Sequence, residues 1–242
     1  RDELEGFTGT VLVLYGDTPH VRAETMAAAA GACADGAAVS VLGFRPSHFH
    51  QYGRLITDDS GALTAIVEAR DASPEELDVN LCNSGVMAFA GEHLLGLLDQ
   101  LDTNNSKGEY YLTDAVEFFV KAGGRVVDLL LEDAEEAAGV NSLEQLGEVR
   151  WALQARILEQ HLANGVRIED PSTTMIDCEV EIGQDTVIQP FSVLRKGVKI
   201  GAGCEVGPFA HMRTGAVLED GAVLGNFCEI KNSTIGPGSK VK

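Results

Sequence analysis

Polar residues at the ends of apolar runs are the first places to look for chemistry in this chain. Val11-Leu12-Val13-Leu14 is a continuous apolar run that ends in Tyr15-Gly16-Asp17. Such a run predicts a buried parallel strand with a carboxylate just past its C-terminal end. In open α/β sheets, ligands bind at that edge. Glu68 closes a second apolar run that starts at Leu63, and Leu81 to Phe89 is apolar except at Asn83-Ser84-Gly85. A polar break inside a strand predicts a bulge or a ligand contact. Far downstream, Arg213 and Lys231 each follow an aliphatic or Met residue and lie eighteen residues apart. Each feature also has a reading without chemistry. Taken alone, Asn141 reads as a helix cap, Glu68 as a solvated strand end, and Arg213 with Lys231 as solvated surface charges.

The elements that must hold these residues follow from pattern. Ala23 to Ala30 predicts a helix and Val39 to Phe44 a second strand. Tyr52-Gly53-Arg54 leads into the strand Leu63 to Glu68, and Ser73 to Asp78 is an acidic, exposed stretch. Gly108-Glu109-Tyr110-Tyr111-Leu112-Thr113-Asp114 precedes a helix with Val116, Phe119 and Val120 inward, stopped by Gly123-Gly124. Arg125 to Leu131 is a further strand. Ser142-x-x-Gln145 resembles a capping box. The helix it opens runs to about Ala163 and stops at Asn164-Gly165.

Beyond that helix the period changes to six. Ile176, Ile182, Ile188, Leu194, Ile200, Val206, Met212, Leu218, Leu224 and Ile230 recur without a break. Two residues before each of the last eight is a small residue or valine, from Thr186 to Cys228. A six-residue period fits neither an α-helix nor a hairpin, and two-residue Asn-Gly turns are absent from this stretch. It fits a parallel β-helix, where each sextet is one short strand plus a turn and three sextets close a coil. The register slips by one residue after Ile230, where Ile235-Gly236 begins the next sextet. Eighteen residues is then one coil, so Arg213 and Lys231 stack on one face of adjacent coils. Two cations that close repel unless an anion lies between them.

The chain has 242 residues and a formal net charge of −19. Residues 1–175 carry 11 Lys and Arg against 29 Asp and Glu, whereas residues 176–242 carry 7 against 8. So acidic a first part argues against a nucleic-acid backbone as partner. Any phosphate bound there needs a metal ion or a few placed cations. No apolar window is long enough to span a membrane, and no signal peptide is visible. The five cysteines, at positions 33, 82, 178, 204 and 228, are odd in number and lack a Cys-x-x-Cys pair. They read as reduced and structural, in a cytoplasmic protein.

An α/β part, one long helix and a hexapeptide β-helix is a rare order. The chain resembles the bacterial bifunctional N-acetylglucosamine-1-phosphate uridyltransferase / glucosamine-1-phosphate N-acetyltransferase family. The resemblance rests on several motifs together: Leu14-Tyr15-Gly16-Asp17, Tyr52-Gly53-Arg54, Ile66-Val67-Glu68, Asn83-Ser84-Gly85 and Gly108 through Asp114. Gly139-Val140-Asn141, Gly207-Pro208-Phe209-Ala210-x-x-Arg213 and Gly225-Asn226-Phe227-x-Glu229-x-Lys231 complete it. It implies an α/β nucleotidyltransferase (Rossmann-like) domain over residues 1–141, truncated at its N-terminus. A linker helix over 142–165 and a left-handed parallel β-helix of hexapeptide repeats over 166–242 follow.

What the resemblance implies for function is specific. Asp17 and Asn141 hold Mg²⁺, and hard oxygen ligands suit a metal that neutralises phosphate charge. Tyr15, Gly16, Asp17, Gly53, Glu68, Asn83 and Asn141 bind the sugar nucleotide. Arg213 and Lys231 bind the sugar phosphate of the acetyl-transfer site. The substrates are UTP, N-acetylglucosamine 1-phosphate, glucosamine 1-phosphate and acetyl-CoA, and the assembly is a homotrimer. Two departures stand against the match: the family's N-terminal Gly-rich loop and its catalytic acetyl-transfer His have no counterpart here. No catalytic residue is therefore assigned, and the chain by itself is expected to be inactive. Neither His161, read as a helix-surface residue, nor His211, read as a coil residue, sits in the motif of that base. The rivals are a nucleotidyltransferase for another sugar phosphate, a non-catalytic β-helix assembly or regulatory protein and, less well matched, a β-helix carbonic anhydrase. The last needs several histidines, and the coil holds only His211.

Overall fold

A computed structural model describes residues 2–46 and 51–242. The chain divides into two compact units, Arg1–Gln145 and Leu146–Lys242.

Among the described residues of the first unit, six strands form one mixed sheet. They are β1 (Thr10–Val13), β2 (Val39–Phe44), β3 (Arg54–Thr57), β4 (Leu63–Val67), β5 (Cys82–Ala90) and β6 (Val126–Leu130). The long β5 is its spine: it pairs with β2 along one edge and with β1 and β3 along the other. Every residue of β5 except Ala90 is buried. Side chains alternate across the sheet, as a two-residue period requires. Val39, Val41, Met87 and Phe89 enter one core, whereas Leu42, Phe44, Val86 and Ala88 enter the other. The first core packs on α4 (Ala115–Lys121) through Val116 and Phe119. The second packs on α1 (Ala23–Ala34) through Ala29 and Cys33. Each large apolar side chain buried this way contributes about 1.5–3 kcal/mol.

Two expectations need correction here. The Val11–Leu14 run does not form a buried parallel strand. β1 pairs antiparallel with β5, and all four of its residues are only half-buried. An apolar run carries no information about strand direction, and a strand paired on one edge only, with Val11 and Val13 against one core and Leu12 against the other, is as apolar as a central one. Helix α1 runs to Ala34, four residues past the expected end. The stop is at Gly36, which takes a φ of 91°.

The polar break in β5 behaves as expected. Between the pairs Val41↔Met87 and Gly43↔Asn83, β5 advances four residues while β2 advances two. Asn83 Oδ1 accepts from Gly85 N–H at 3.0 Å, and Ser84 Oγ accepts from Val86 N–H at 3.2 Å. Side chains thus satisfy backbone groups that the bulge removes from the ladder.

Helix α5, which we number after the short helices α2 (Pro74–Leu77) and α3 (Gly91–Leu98), spans Leu143–Ala163. Ser142 Oγ accepts from Gln145 N–H at 3.2 Å, one half of a capping box. The reciprocal half is shifted: Gln145 Oε1 accepts from Asn141 N–H at 2.7 Å. The helix ends where Val166 N–H donates back to His161 O, with Gly165 at a φ of 84°.

In the second unit, two-residue strands from β7 (Arg167–Ile168) to β19 (Lys240–Val241) stack into three parallel sheets. Neighbours in each sheet are one coil apart, as in Val193↔His211 and Leu194↔Met212. Ile176, Ile188, Leu194, Val206, Met212 and Leu224 are at most 1% exposed, so the inward row is the core. The small-residue row fills the corners: Thr186, Ser192, Ala216 and Ala222 are fully buried. A Cβ on Gly183 would lie 2.6 Å from Ala202 N, which is why that corner carries glycine. The one-residue slip is real, since Leu218 pairs with Ile235. Gln154 of α5 closes the first coil, its amide exchanging two 3.3 Å bonds with the Ile176 backbone. His161 lies on the same face of α5 and is buried, not a surface residue. Burial pushes its pKa down.

Candidate active-site cleft

A cleft of about 490 Å³ in the first unit collects the sequence-derived candidates. Tyr15, Asp17, Gly53, Glu68, Asn83 and Asn141 all line it. Gly16 is not part of the lining and sits in the turn between Tyr15 and Asp17. Residues from five separate stretches of chain therefore meet in one place.

Local chemistry explains each placement. After β1 the chain turns sharply, with Thr18 N–H and Oγ1 both donating to Tyr15 O at 3.3 and 3.1 Å. The Tyr15 ring then lies over Gly85, where any Cβ would collide with it. Gly85 also needs its φ of 84°, so the bulge in β5 makes the seat for the ring. Asp17 is tied to the distant Gly139-Val140-Asn141 stretch by Val140 N–H, which donates to Asp17 O at 2.8 Å. Ser142 caps α5, so the helix-cap reading of Asn141 fails and its side chain stands at the cleft instead. Gly53 O accepts from Asn83 N–H at 2.9 Å, which joins the residue before β3 to β5. A Cβ on Gly53 would stand 3.5 Å from Glu68 Oε2, so the two positions are neighbours.

The cleft is anionic. Asp17, Glu68 and Glu109 face it, against Arg70 and Lys107. Tyr15 reports that field: burial, then Glu68, then Asp17 push its phenol pKa up. It therefore stays a neutral hydrogen-bond donor near pH 7. Asp114, in the turn after the cleft residue Tyr111, is also pushed up, first by burial and then by Asp102, Glu117, Glu68 and Asp71. No group of three His, Cys, Asp or Glu side chains that could hold a metal ion occurs among the described residues. Asp17 and Asn141 both line this anionic cleft, and each carries a hard oxygen donor. That suits Mg²⁺, which is held by one or two protein groups and completes its shell with phosphate and water.

Several lining residues carried no role in the sequence reading. Thr18, Tyr52, Ser84, Tyr111 and Gly139 fall within or beside quoted motifs, and position alone would have found them. Lys107 directly precedes the Gly108 motif, but it and Arg70 read as lone exposed cations like any other surface charge. Asp71 joins their two loops, its Oδ1 accepting from Ser106 N–H at 3.1 Å.

Arg213 and Lys231 lie in the other unit. The pairs His211↔Glu229 and Met212↔Ile230 place the two residues that follow, Arg213 and Lys231, next to one another on adjacent coils. The chain itself supplies an anion to one of the two cations: Arg213 Nη1 donates to Glu229 Oε1 at 2.8 Å. That bond, first, holds the Glu229 carboxyl below its usual range. No ion pair involves Lys231 among the described residues.

The fold joins a Rossmann-like α/β unit to a β-helix of the hexapeptide-repeat type. The model of bacterial transferase hexapeptide (six repeats) matches residues 179–214 and 197–232, and the coil is the left-handed β-helix of that class. Curated relatives extend the likeness into the α/β unit. The bifunctional protein GlmU of Azorhizobium caulinodans is 43% identical over 198 residues, which is 82% of this chain and 44% of that protein. Its counterpart in Pelotomaculum thermopropionicum is 43% identical over 190 residues, 78% of this chain and 42% of the relative. That of Rhodospirillum rubrum is 44% identical over 186 residues, 76% and 41% respectively. Over this shared region the chain belongs to the family of the bifunctional GlmU proteins. It spans under half the length of the curated relatives it matches.

Proposed function

We propose that the gene product carrying this chain makes UDP-N-acetylglucosamine in two steps on separate units. The α/β unit transfers uridyl from UTP to N-acetylglucosamine 1-phosphate. The β-helix takes part in acetyl transfer from acetyl-CoA to glucosamine 1-phosphate, as a cytoplasmic homotrimer. The observation that carries the uridyl reading is the convergence of Tyr15, Asp17, Gly53, Glu68, Asn83 and Asn141 on one cleft.

In the uridyl step a phosphate oxygen of the sugar phosphate bonds to the α-phosphorus of UTP. The bond from that phosphorus to the bridging oxygen breaks, and pyrophosphate leaves. Asp17 and Asn141 would hold Mg²⁺, which when bound offsets charge developing on the phosphates. Glu68 accepts from sugar hydroxyls, and the Asn83 amide matches the acetamido group. Tyr15 donates as a neutral phenol from the rim. No covalent nucleophile is needed, since positioning and charge stabilisation lower the barrier.

The assay is sugar-nucleotide formation by the full-length gene product with UTP, Mg²⁺ and a panel of sugar 1-phosphates. N-acetylglucosamine 1-phosphate should be the preferred acceptor. A clear preference for another sugar phosphate would replace this reading with the rival transferase, and no turnover with any would remove it.

A further inference from the structure

We infer that Thr113 is a positioning residue for substrate binding, acting through Glu68. This rests on the proposed uridyl-transfer reading and deepens it. Leu112–Asp114 forms a single 3₁₀ turn just before α4. The residue before it, Tyr111, lines the cleft, but Thr113 does not. Thr113 is 4% exposed, and its Oγ1 donates to Glu68 Oε1 at 3.2 Å. Glu68 is a half-buried residue just past the end of β4.

The two carboxylate oxygens thereby take different jobs. Oε1 is held from behind by the hydroxyl. Oε2 lies on the Gly53 side, 3.5 Å from where a Cβ on that residue would be. Gly53 and Glu68 both line the cleft, and the bond from Thr113 restricts the plane in which the carboxylate lies. A free glutamate samples several rotamers and gives up that entropy when it binds a hydroxyl. One already held by a charge-assisted hydrogen bond gives up less. The geometry therefore assigns Thr113 to the fixed acceptor that reads a sugar hydroxyl. Glu68 and the Gly53 position were legible from sequence, but the donor behind them sits 45 residues downstream.

The test uses full-length protein, with valine removing the hydroxyl at nearly constant shape and serine retaining it. Thr113→Val should raise the KM for N-acetylglucosamine 1-phosphate about tenfold, the lower range for a hydrogen bond to a charged group. The KM for UTP should stay within about twofold of wild type, and Thr113→Ser should recover most of the loss. In a Glu68→Ala background the valine change should add nothing, because its effect passes through that carboxylate. Equal impairment by valine and serine, or full additivity with Glu68→Ala, overturns the proposal in favour of a purely structural hydroxyl. Unchanged kinetics in Thr113→Val overturns it as well. If valine prevents folding, Thr113→Ala takes its place in the same cycle. Absence of uridyl transfer in the wild type would instead count against the proposed function.

Discussion

The two units of this molecule encode position in opposite ways. In the β-helix a residue's environment is set by its place in the sextet. Ile188, Leu194, Val206 and Met212 are all fully buried, and each meets its equivalent one coil away. In the α/β unit no such rule operates. The cleft joins Tyr15 to Gly85, Asp17 to Val140 and Glu68 to Thr113, contacts that span 45 residues or more. A solenoid spends its sequence on repeating one local solution. A cleft spends it on bringing distant groups together, which is where ligand chemistry can be built.

The largest expected effect separates the units by function. Asp17→Ala in the full-length protein should lower uridyl transfer about 100-fold or more, the upper scale for disturbing a metal site. Acetyl transfer should be unchanged, because Asp17 lies in Arg1–Gln145 and the coil does not. Parallel loss of both activities in a folded variant would show that the units do not act independently.

Next comes a test of the solenoid core. Leu194 is fully buried in the inward row. Leu194→Ala should cost about 2–5 kcal/mol of stability, read from chemical denaturation. The same cut at the exposed Leu143 of α5 should cost under about 1 kcal/mol, as surface changes usually do. Similar losses at both would mean that burial in the coil does not govern stability.

A subtler effect belongs to the sugar-phosphate pair. Arg213→Ala and Lys231→Ala should each weaken glucosamine 1-phosphate binding for acetyl transfer by about 10- to 100-fold. Uridyl transfer should not change in either. Arg213 already shares its charge with Glu229, so Lys231→Ala should show the larger loss. Unchanged affinity in both variants would return them to the solvated surface.

How much of this was legible in the sequence differs between the units for the same reason. The sextet rows, their corner residues and the slip before Ile235 can be read by counting, because the contacts that matter recur at one fixed spacing. In the α/β unit five of the six described strands were legible as apolar runs, and the bulge as a polar break, whereas β3 was not anticipated. The direction of β1 was not, since pairing with β5 depends on residues 74 or more positions away. Most cleft residues were found through a resemblance of whole motifs. Arg70 and Lys107 were missed because an exposed cation, even next to a motif as Lys107 is, carries no mark of what it faces. His161 was misplaced because a polar residue on the buried face of α5 looks like one on the other face until that face is known.

The smallest effect concerns a place where the coil departs from its own rule. Phe191, Phe209 and Phe227 sit at turns with φ of 60°, 58° and 55°, a region that favours glycine. Their rings stack at 4.8 and 4.9 Å between centroids, with planes within 10°. Each left-handed residue costs on the order of 1–3 kcal/mol. Each ring pair returns about 0.5–1.5 kcal/mol, and Phe209 is in two of them. Phe209→Gly removes the strain and both stacks together, so the two terms largely offset and stability should move by no more than about 2 kcal/mol either way. Phe209→Leu keeps the strain and loses the stacks, so it should be the more damaging change. At the inward Met212 the order must reverse: leucine nearly preserves volume, whereas glycine empties a core position that is fully buried. Denaturation of the four variants settles it. If leucine is milder than glycine at 209 as well, side-chain packing rather than backbone conformation sets the energy of these turns, and the coil follows one rule throughout.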